Sequence, residues 1–308
     1  MANINNKLEF INEQAKNNTK DFVKTCETRY QNIIDDIAQR IVDEKGREIV
    51  MLAGPSSAGK TTTAKKLCEA LNKKGVKTYV LSLDDFYLNR EDIPYLPDGT
   101  QDFETVDALD LELFSKCVNE LLKGETVKNP IFDFTTGKRS ATKFNEITLG
   151  SEDIVIIEGL HALNPVITEQ IVGKLLKIYI NVSSRIYDEK NNIILNKRNM
   201  RFVRRMVRDY KFRDSSVTNT YKLWKNVTAG EDKYLFPYRH LADIKINTIH
   251  LYETCVLKNQ ALSLLYESEI SEEFKDDAKR LRKALEKFEC IDISLVPEDS
   301  LLREFLGK

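Results

Sequence analysis

The chain has 308 residues, with 47 Lys and Arg against 48 Asp and Glu and a formal net charge of −1, so no global electrostatic case exists for nucleic acid or an acidic membrane surface as partner. Five scattered cysteines, Cys26, Cys68, Cys117, Cys255 and Cys290, without a CxxC pair, read as reduced thiols of a cytoplasmic protein rather than as a disulfide or metal framework. No run approaches the ~18 apolar residues of a membrane span, and MANINNKLEF lacks a signal-peptide pattern.

Residues 9–45 are polar but periodic, with Tyr30, Ile33, Ile34, Ile37, Ala38, Ile41 and Val42 at helical spacing, and predict a helix packed on the main domain. EIVMLAG (48–54) reads as a buried strand, because its branched apolar run is stopped by glycine and proline. The helix after Gly59 carries Ala64, Leu67, Cys68 and Leu71 on one face and ends before Gly75. Strand-like runs recur at 78–83, 154–157, 177–182 and 244–247, apolar rather than alternating, with helical patterns between several of them. This predicts an α/β fold with a mainly parallel sheet covered on both faces. A helix around Leu109–Leu122 precedes IFDFTTGKRSATKFNEITL, a hairpin excursion from the core. After Tyr252 the chain is helical again; in SEEFKDDAKRLRKALEKF, Ser271 is the expected cap and Phe274, Ala278, Leu281, Leu285 and Phe288 share a face. The expected organisation is a core at 46–250 with helical extensions at 1–45 and 251–308 that serve packing or oligomer contacts.

Gly54-x4-Gly59-Lys60-Thr61 satisfies the phosphate-loop pattern, with a strand before it and a helix after it as that pattern requires. Glycines let successive backbone N–H groups face inward, and the helix that begins at Lys60 aims its positive end at the same point. Gly54, Ser56, Ser57, Ala58, Gly59, Lys60, Thr61 and Thr62 are therefore expected to hold a nucleoside triphosphate, Lys60 reaching the β/γ oxygens and the Thr61 hydroxyl coordinating Mg²⁺.

Transfer, as opposed to holding, needs a carboxylate near the γ-phosphate. Asp84 and Asp85 end the strand LSL, and Glu158 ends IVII, where a buried acid needs a metal or hydrogen bonds. In RFVRRMVRDYKFRD, Arg201, Arg205 and Arg208 fall on one helical face, ordinarily a solvated one; Arg204, Arg205, Arg208 and Arg213 together form a dense guanidinium supply suited to clamping phosphate oxygens. His161 reads as a satisfied structural histidine, and Tyr221 and Trp224 as packing residues of that region.

Taken in order, GPSSAGKTT, LDDFY, DFETVDALD, IFDFTTGKRS, IIEGLHAL, RRMVRDYKFR and FPYRHLADIKIN resemble the uridine kinase and phosphoribulokinase family of P-loop kinases over residues 48–249. The resemblance implies the three-layer P-loop NTPase fold, with a lid at about 200–235. It implies that Asp84 is the catalytic aspartate, close to Mg²⁺, that Tyr87 lines the acceptor site, that Glu158 stands on the metal side, and that Arg205, Arg208 and Arg213 are lid arginines. Asp102 or Glu104 would hydrogen-bond a sugar hydroxyl. The sequence departs from uridine–cytidine kinases at Phe132 and Gly137, where the family carries a tyrosine and a histidine that read the pyrimidine edge, and at Ser215, where it carries a further arginine. The insertion YDEKNNIILNKRN (187–199) also departs and reads as a solvated loop, with a role in shaping a different acceptor site as the alternative.

These readings converge on an ATP-dependent, Mg²⁺-requiring kinase for a hydroxyl of a small molecule, most simply a nucleoside. A sugar phosphate or small acid is the alternative acceptor, and a nucleotide-hydrolysing switch the alternative activity, although Asn196-Lys197-Arg198-Asn199 does not complete a guanine-reading motif.

Overall fold

At the centre of the computed structural model, which describes residues 5–44, 46, 49–96, 99–134 and 136–307, lies a five-stranded parallel sheet. Glu48 of the expected first strand, Lys45 of the expected first helix and Thr135 of the hairpin lie outside the described residues. The strands are β1 (Ile49–Ala53), β2 (Thr78–Ser82), β3 (Val127–Asp133), β4 (Lys138–Ile147), β5 (Ile154–Gly159), β6 (Leu175–Asn181), β7 (Ile186–Tyr187), β8 (Ile193–Leu195) and β9 (Ile244–Asn247). In space the sheet runs β2-β5-β1-β6-β9, and β3–β4 and β7–β8 form two antiparallel hairpins outside it.

The helices are α1 (Leu8–Asn17), α2 (Thr19–Asp43), α3 (Lys60–Lys73), α4 (Leu111–Leu122), α5 (Pro165–Thr168), α6 (Lys197–Arg213), α7 (Val217–Gly230), α8 (Glu253–Glu267), α9 (Lys275–Leu285) and α10 (Arg303–Leu306). Among the described residues no helix is long and apolar enough to cross a membrane.

Every residue of β1 and β5 is buried, because both strands are covered on both faces. The two-residue period of β1 divides its side chains between the layers. Val50 and Leu52 join a cluster with Ile34 of α2, Leu67 of α3, Met206 of α6, Leu257 of α8, Leu281 of α9 and Phe305 of α10. Ile49, Met51 and Ala53 join Phe86, Phe114, Val118 and Leu163 on the other side. The N- and C-terminal helices thus share one core with α3 and α6.

Several elements differ from expectation. The helix over 9–45 is two, broken at Asn18 (φ −137, ψ 34); the adjacent Thr19 hydroxyl bonds to the Ala15 carbonyl at 2.6 Å, and such side chains compete with the helical ladder. The helix near Leu109 begins at Leu111, where the Asp110 carboxylate accepts the Leu113 amide at 3.0 Å. Ser271 makes no side-chain cap bond; its amide instead donates to the Thr218 hydroxyl at 3.1 Å, and α9 starts only at Lys275. The insertion at 187–199 is the β7–β8 hairpin followed by the first residues of α6; its tip at 189–193 is exposed, as expected of a solvated segment, but it is tethered where Lys7 donates to the Asp188 carbonyl and the Asn191 side chain at 2.8 and 2.6 Å.

Candidate active site

The phosphate-loop pattern leaves the end of β1, the middle strand, and enters α3. Gly59 adopts a left-handed conformation (φ 90), and the first helical bond runs from the Thr63 amide to its carbonyl at 2.9 Å. The amides of Lys60, Thr61 and Thr62 belong to the first turn, have no helical acceptor, and add to the positive end of the helix dipole.

Helix α6 braces this loop from behind, held at its start by a reciprocal cap between Asn196 and Asn199. Arg201 and Glu231, 1% and 0% exposed, form two parallel bonds of 2.7 Å. Both then close on one residue: Glu231 accepts the Ser56 amide and Arg201 donates to the Ser56 carbonyl, each at 2.9 Å. Arg204, paired with Glu253, donates to the Ser57 carbonyl at 3.3 Å and to the Thr248 carbonyl at 3.0 Å. Arg201 is therefore not on a solvated face, and Arg204 is not part of the phosphate-facing supply; both are consumed by buried acids that local sequence did not pair with them. Tyr221 and Trp224 pack on Phe202 at ring separations of 4.4 and 5.7 Å, and the Arg201 guanidinium stacks over Trp224.

The remaining arginines gather on Asp209, whose carboxylate is buried. It accepts Arg208 Nε and Nη2 at 2.9 and 2.8 Å, and forms ion pairs with Arg205 Nε at 3.0 Å and Arg213 Nη1 at 3.6 Å. One acid among three guanidinium groups leaves the cluster net positive. Arg205 also donates to the Ser56 hydroxyl at 2.7 Å, which ties the cluster to the loop.

On the other side of Lys60, the parallel register sets Leu52 and Ser82 beside Glu158 at the end of β5. Thr61 and Ser82 donate their hydroxyls to the same Glu158 oxygen at 3.1 and 3.2 Å. Burial pushes the Glu158 carboxyl up to about 7 against the pull of Lys60, and the nearby Asp84 adds to the rise. Asp84 opens the turn after β2, its amide held by the Ser82 hydroxyl at 3.3 Å. Its own carboxyl is raised by burial, with Lys60 and Arg213 opposing. Asp85 is engaged elsewhere, where it accepts the Phe132 amide at 3.2 Å and fastens β3.

Beyond Asp84 lies an aromatic surface. Tyr87, Phe132 and Phe134 have ring centroids 5.1 to 6.2 Å apart, and the Tyr87 hydroxyl donates to the Phe103 carbonyl at 2.9 Å. The two acids of DFETVDALD are unequal. Asp102 accepts the amides of Glu104 and Thr105 at 3.1 Å each and the Tyr234 hydroxyl at 2.9 Å. Glu104 is pushed up to about 7 by burial and then by Glu231, while Arg205 and Lys60 act in the opposite sense. His161 is 3% exposed; burial pulls its imidazole down to about 4, with the Glu104 backbone opposing, and neither ring nitrogen makes a well-aligned hydrogen bond among the described residues. Its ring lies 6.1 Å from that of Tyr234.

Gly137 has φ +70, and a Cβ there would lie 2.8 Å from Arg90 Nε. The Arg90 side chain covers the position from which a residue at 137 would project, and its amide donates to the Gly137 carbonyl at 2.8 Å. Ser215 bonds to the side chains of Asn219 and Thr220 at 2.9 and 3.4 Å, a local role in the α6–α7 turn. The sequence offered no pointer to Glu231, Glu253 or Arg90; Asp209 lay within the arginine-rich run, where its charge among cations was the available signal.

Residues 49–254 match the model of the phosphoribulokinase / uridine kinase family. The uridine kinase of Mycoplasma genitalium is 30% identical over 191 residues, covering 61% of this chain and 78% of that protein. The uridine-cytidine kinase-like 1 protein of Mus musculus is 31% identical over 198 residues, 63% of this chain but only 32% of its own length. Among solved structures, a candidate fructose transport system kinase of Silicibacter sp. TM1040 has the same fold, with a TM-score of 0.51 at 21% identity over 69% of this chain and 98% of that one. The chain belongs to the phosphoribulokinase/uridine kinase family, the P-loop kinases that pass a phosphoryl group to a hydroxyl.

Proposed function

We propose that the chain is an ATP-dependent kinase whose acceptor is a nucleoside, and that Asp84 is its catalytic base. The observation that carries this reading is the placement of Asp84 and Glu158 beside Lys60, two carboxyls raised by burial next to the lysine of a phosphate loop, with Glu158 also accepting the Thr61 hydroxyl. Crowded acids of this kind suit a divalent cation, which removes the cost of holding both ionised. No cluster of three or more metal-binding side chains exists among the described residues. Mg²⁺ is commonly held by one or two carboxylates together with substrate phosphates. Thr61, Asp84 and Glu158 would hold it, and the bound ion would neutralise charge on the phosphoryl group in flight.

The chain's own groups account for the remaining work. Lys60 and the first-turn amides of α3 hold the β- and γ-phosphates. Asp84 takes the proton of the acceptor hydroxyl as that oxygen attacks. Arg205, Arg208 and Arg213 cover the equatorial oxygens and exclude water, which would otherwise compete as acceptor. Glu104, rather than Asp102, which already accepts three hydrogen bonds, binds a sugar hydroxyl. The Tyr87, Phe132 and Phe134 surface stacks a planar base.

Arg90 over Gly137 favours a second reading, an acceptor with a phosphate or carboxylate group such as a sugar phosphate or small acid. A panel of nucleosides, sugar phosphates and hydroxy acids with Mg-ATP, scored for phosphorylated product, separates the two. ATP hydrolysis independent of any acceptor, with no phosphorylated product, would reject kinase activity and favour a hydrolytic switch.

A further inference from the structure

The C-terminal extension lies outside residues 49–254, which match the family. Its last segment, 296–307, nevertheless crosses the phosphate loop. Leu301 packs so closely on Gly59 that a Cβ there would lie 2.6 Å from Leu301 Cδ1. Three residues on, Glu304 accepts the hydroxyl of Thr62 at 2.7 Å. Neighbouring contacts fix the segment. Asp299 pairs with Lys66 of α3 at 2.9 Å, Ser300 donates to Glu27 of α2 at 2.6 Å, and Arg204 stacks over Phe305 at 5.2 Å. Leu301, Leu302, Phe305 and Leu306 are fully buried. This is a built strap between the loop helix and the arginine helix.

We infer that Glu304 is a residue of the donor site and sets its affinity for nucleoside triphosphate; the inference rests on the reading of residues 54–62 as that site. Thr62 is the third residue of α3, in the turn whose amides and dipole attract anions. Glu304 places a carboxylate on the side chain of that residue. A polyphosphate entering the loop meets this carboxylate as a like charge at short range, and either shares the positive helix end with it or displaces it from Thr62. In both cases the affinity for each nucleotide is lowered in proportion to the phosphate charge it carries, and the strap, not the loop alone, decides how tightly the donor binds.

Direct binding by the full chain tests this, with ATP, ADP and adenosine titrated calorimetrically into the wild type, Glu304→Gln and Lys60→Ala. Glutamine retains an acceptor for Thr62 without the charge, and a thermal melt confirms that the variant is folded. Glu304→Gln is expected to bind ATP roughly three- to tenfold more tightly, ADP with a smaller gain, and adenosine unchanged. Unchanged or weaker ATP binding in Glu304→Gln overturns the proposal, as does an equal gain for adenosine, which would report steric relief rather than charge. If Lys60→Ala binds ATP like the wild type, the donor-site reading itself fails. If Lys60→Ala abolishes binding while Glu304→Gln changes nothing, only the role of Glu304 is lost.

Discussion

Glu231 and Ser56, 175 positions apart, are joined by a 2.9 Å bond from the Ser56 amide to the Glu231 carboxylate. The same carboxylate grips Arg201, which donates to the Ser56 carbonyl. The loop is therefore shaped by a buried ion pair whose arginine lies on the same helix as the cluster on Asp209. Removing one partner strands the other charge, so Glu231→Gln is expected to cost about 3–5 kcal/mol of unfolding free energy. Urea denaturation measures this, and ATP affinity should fall with it, because Ser56 loses its clamp.

Asp84→Asn keeps the size and removes the proposed base. Phosphoryl transfer should fall by roughly 10²- to 10⁴-fold while ATP binding is largely retained. Single-turnover kinetics check both quantities on one preparation, and near-normal turnover would mean that another group takes the proton.

Asp209 touches no expected ligand, yet it orders Arg205, Arg208 and Arg213. In Asp209→Asn the guanidinium groups repel one another without a central acid, and kcat is expected to drop at least ~10-fold. On the proposed reading, in which the loop makes most ground-state contacts with the triphosphate, KM for ATP should change less than kcat. Steady-state kinetics against ATP reads the split.

Glu104 has a carboxyl raised in the fold to about 7 from an ordinary value of 4.5. Between those values the folded chain keeps a proton that the unfolded chain has released. Its contribution to stability is complete below 4.5 and is lost as pH rises through 7. Glu104→Gln should flatten that decline, visible as a smaller shift of the urea midpoint between pH 4.5 and 7 than in the wild type. An identical pH dependence in the two proteins would show that Glu104 is not the titrating group.

Arg90→Ala discriminates the acceptor class. If the acceptor carries an anionic group, its KM should rise roughly tenfold with kcat nearly unchanged. If a neutral nucleoside is stacked on Tyr87, Phe132 and Phe134, the change should be small, and Phe134→Ala should raise KM instead.

The sequence by itself determined the features that are local. The apolar runs of β1 and β5, the glycine-punctuated loop before Lys60, and acids at strand ends in Asp84 and Glu158 need only their neighbours to be legible, because strand burial and helix initiation act over a few residues. Only the tertiary structure decided which charges remain available. Arg201 and Arg205 read alike on a helical face, yet one is consumed by Glu231 while the other joins the cluster on Asp209. Asp102 and Glu104 are two residues apart, and the hydroxyl of Tyr234 distinguishes them. Glu304 lies 242 positions from Thr62 in an extension with no motif. A side chain's commitment is set by the partner that folding brings within about 3 Å, and hydrophobic periodicity carries no record of that partner.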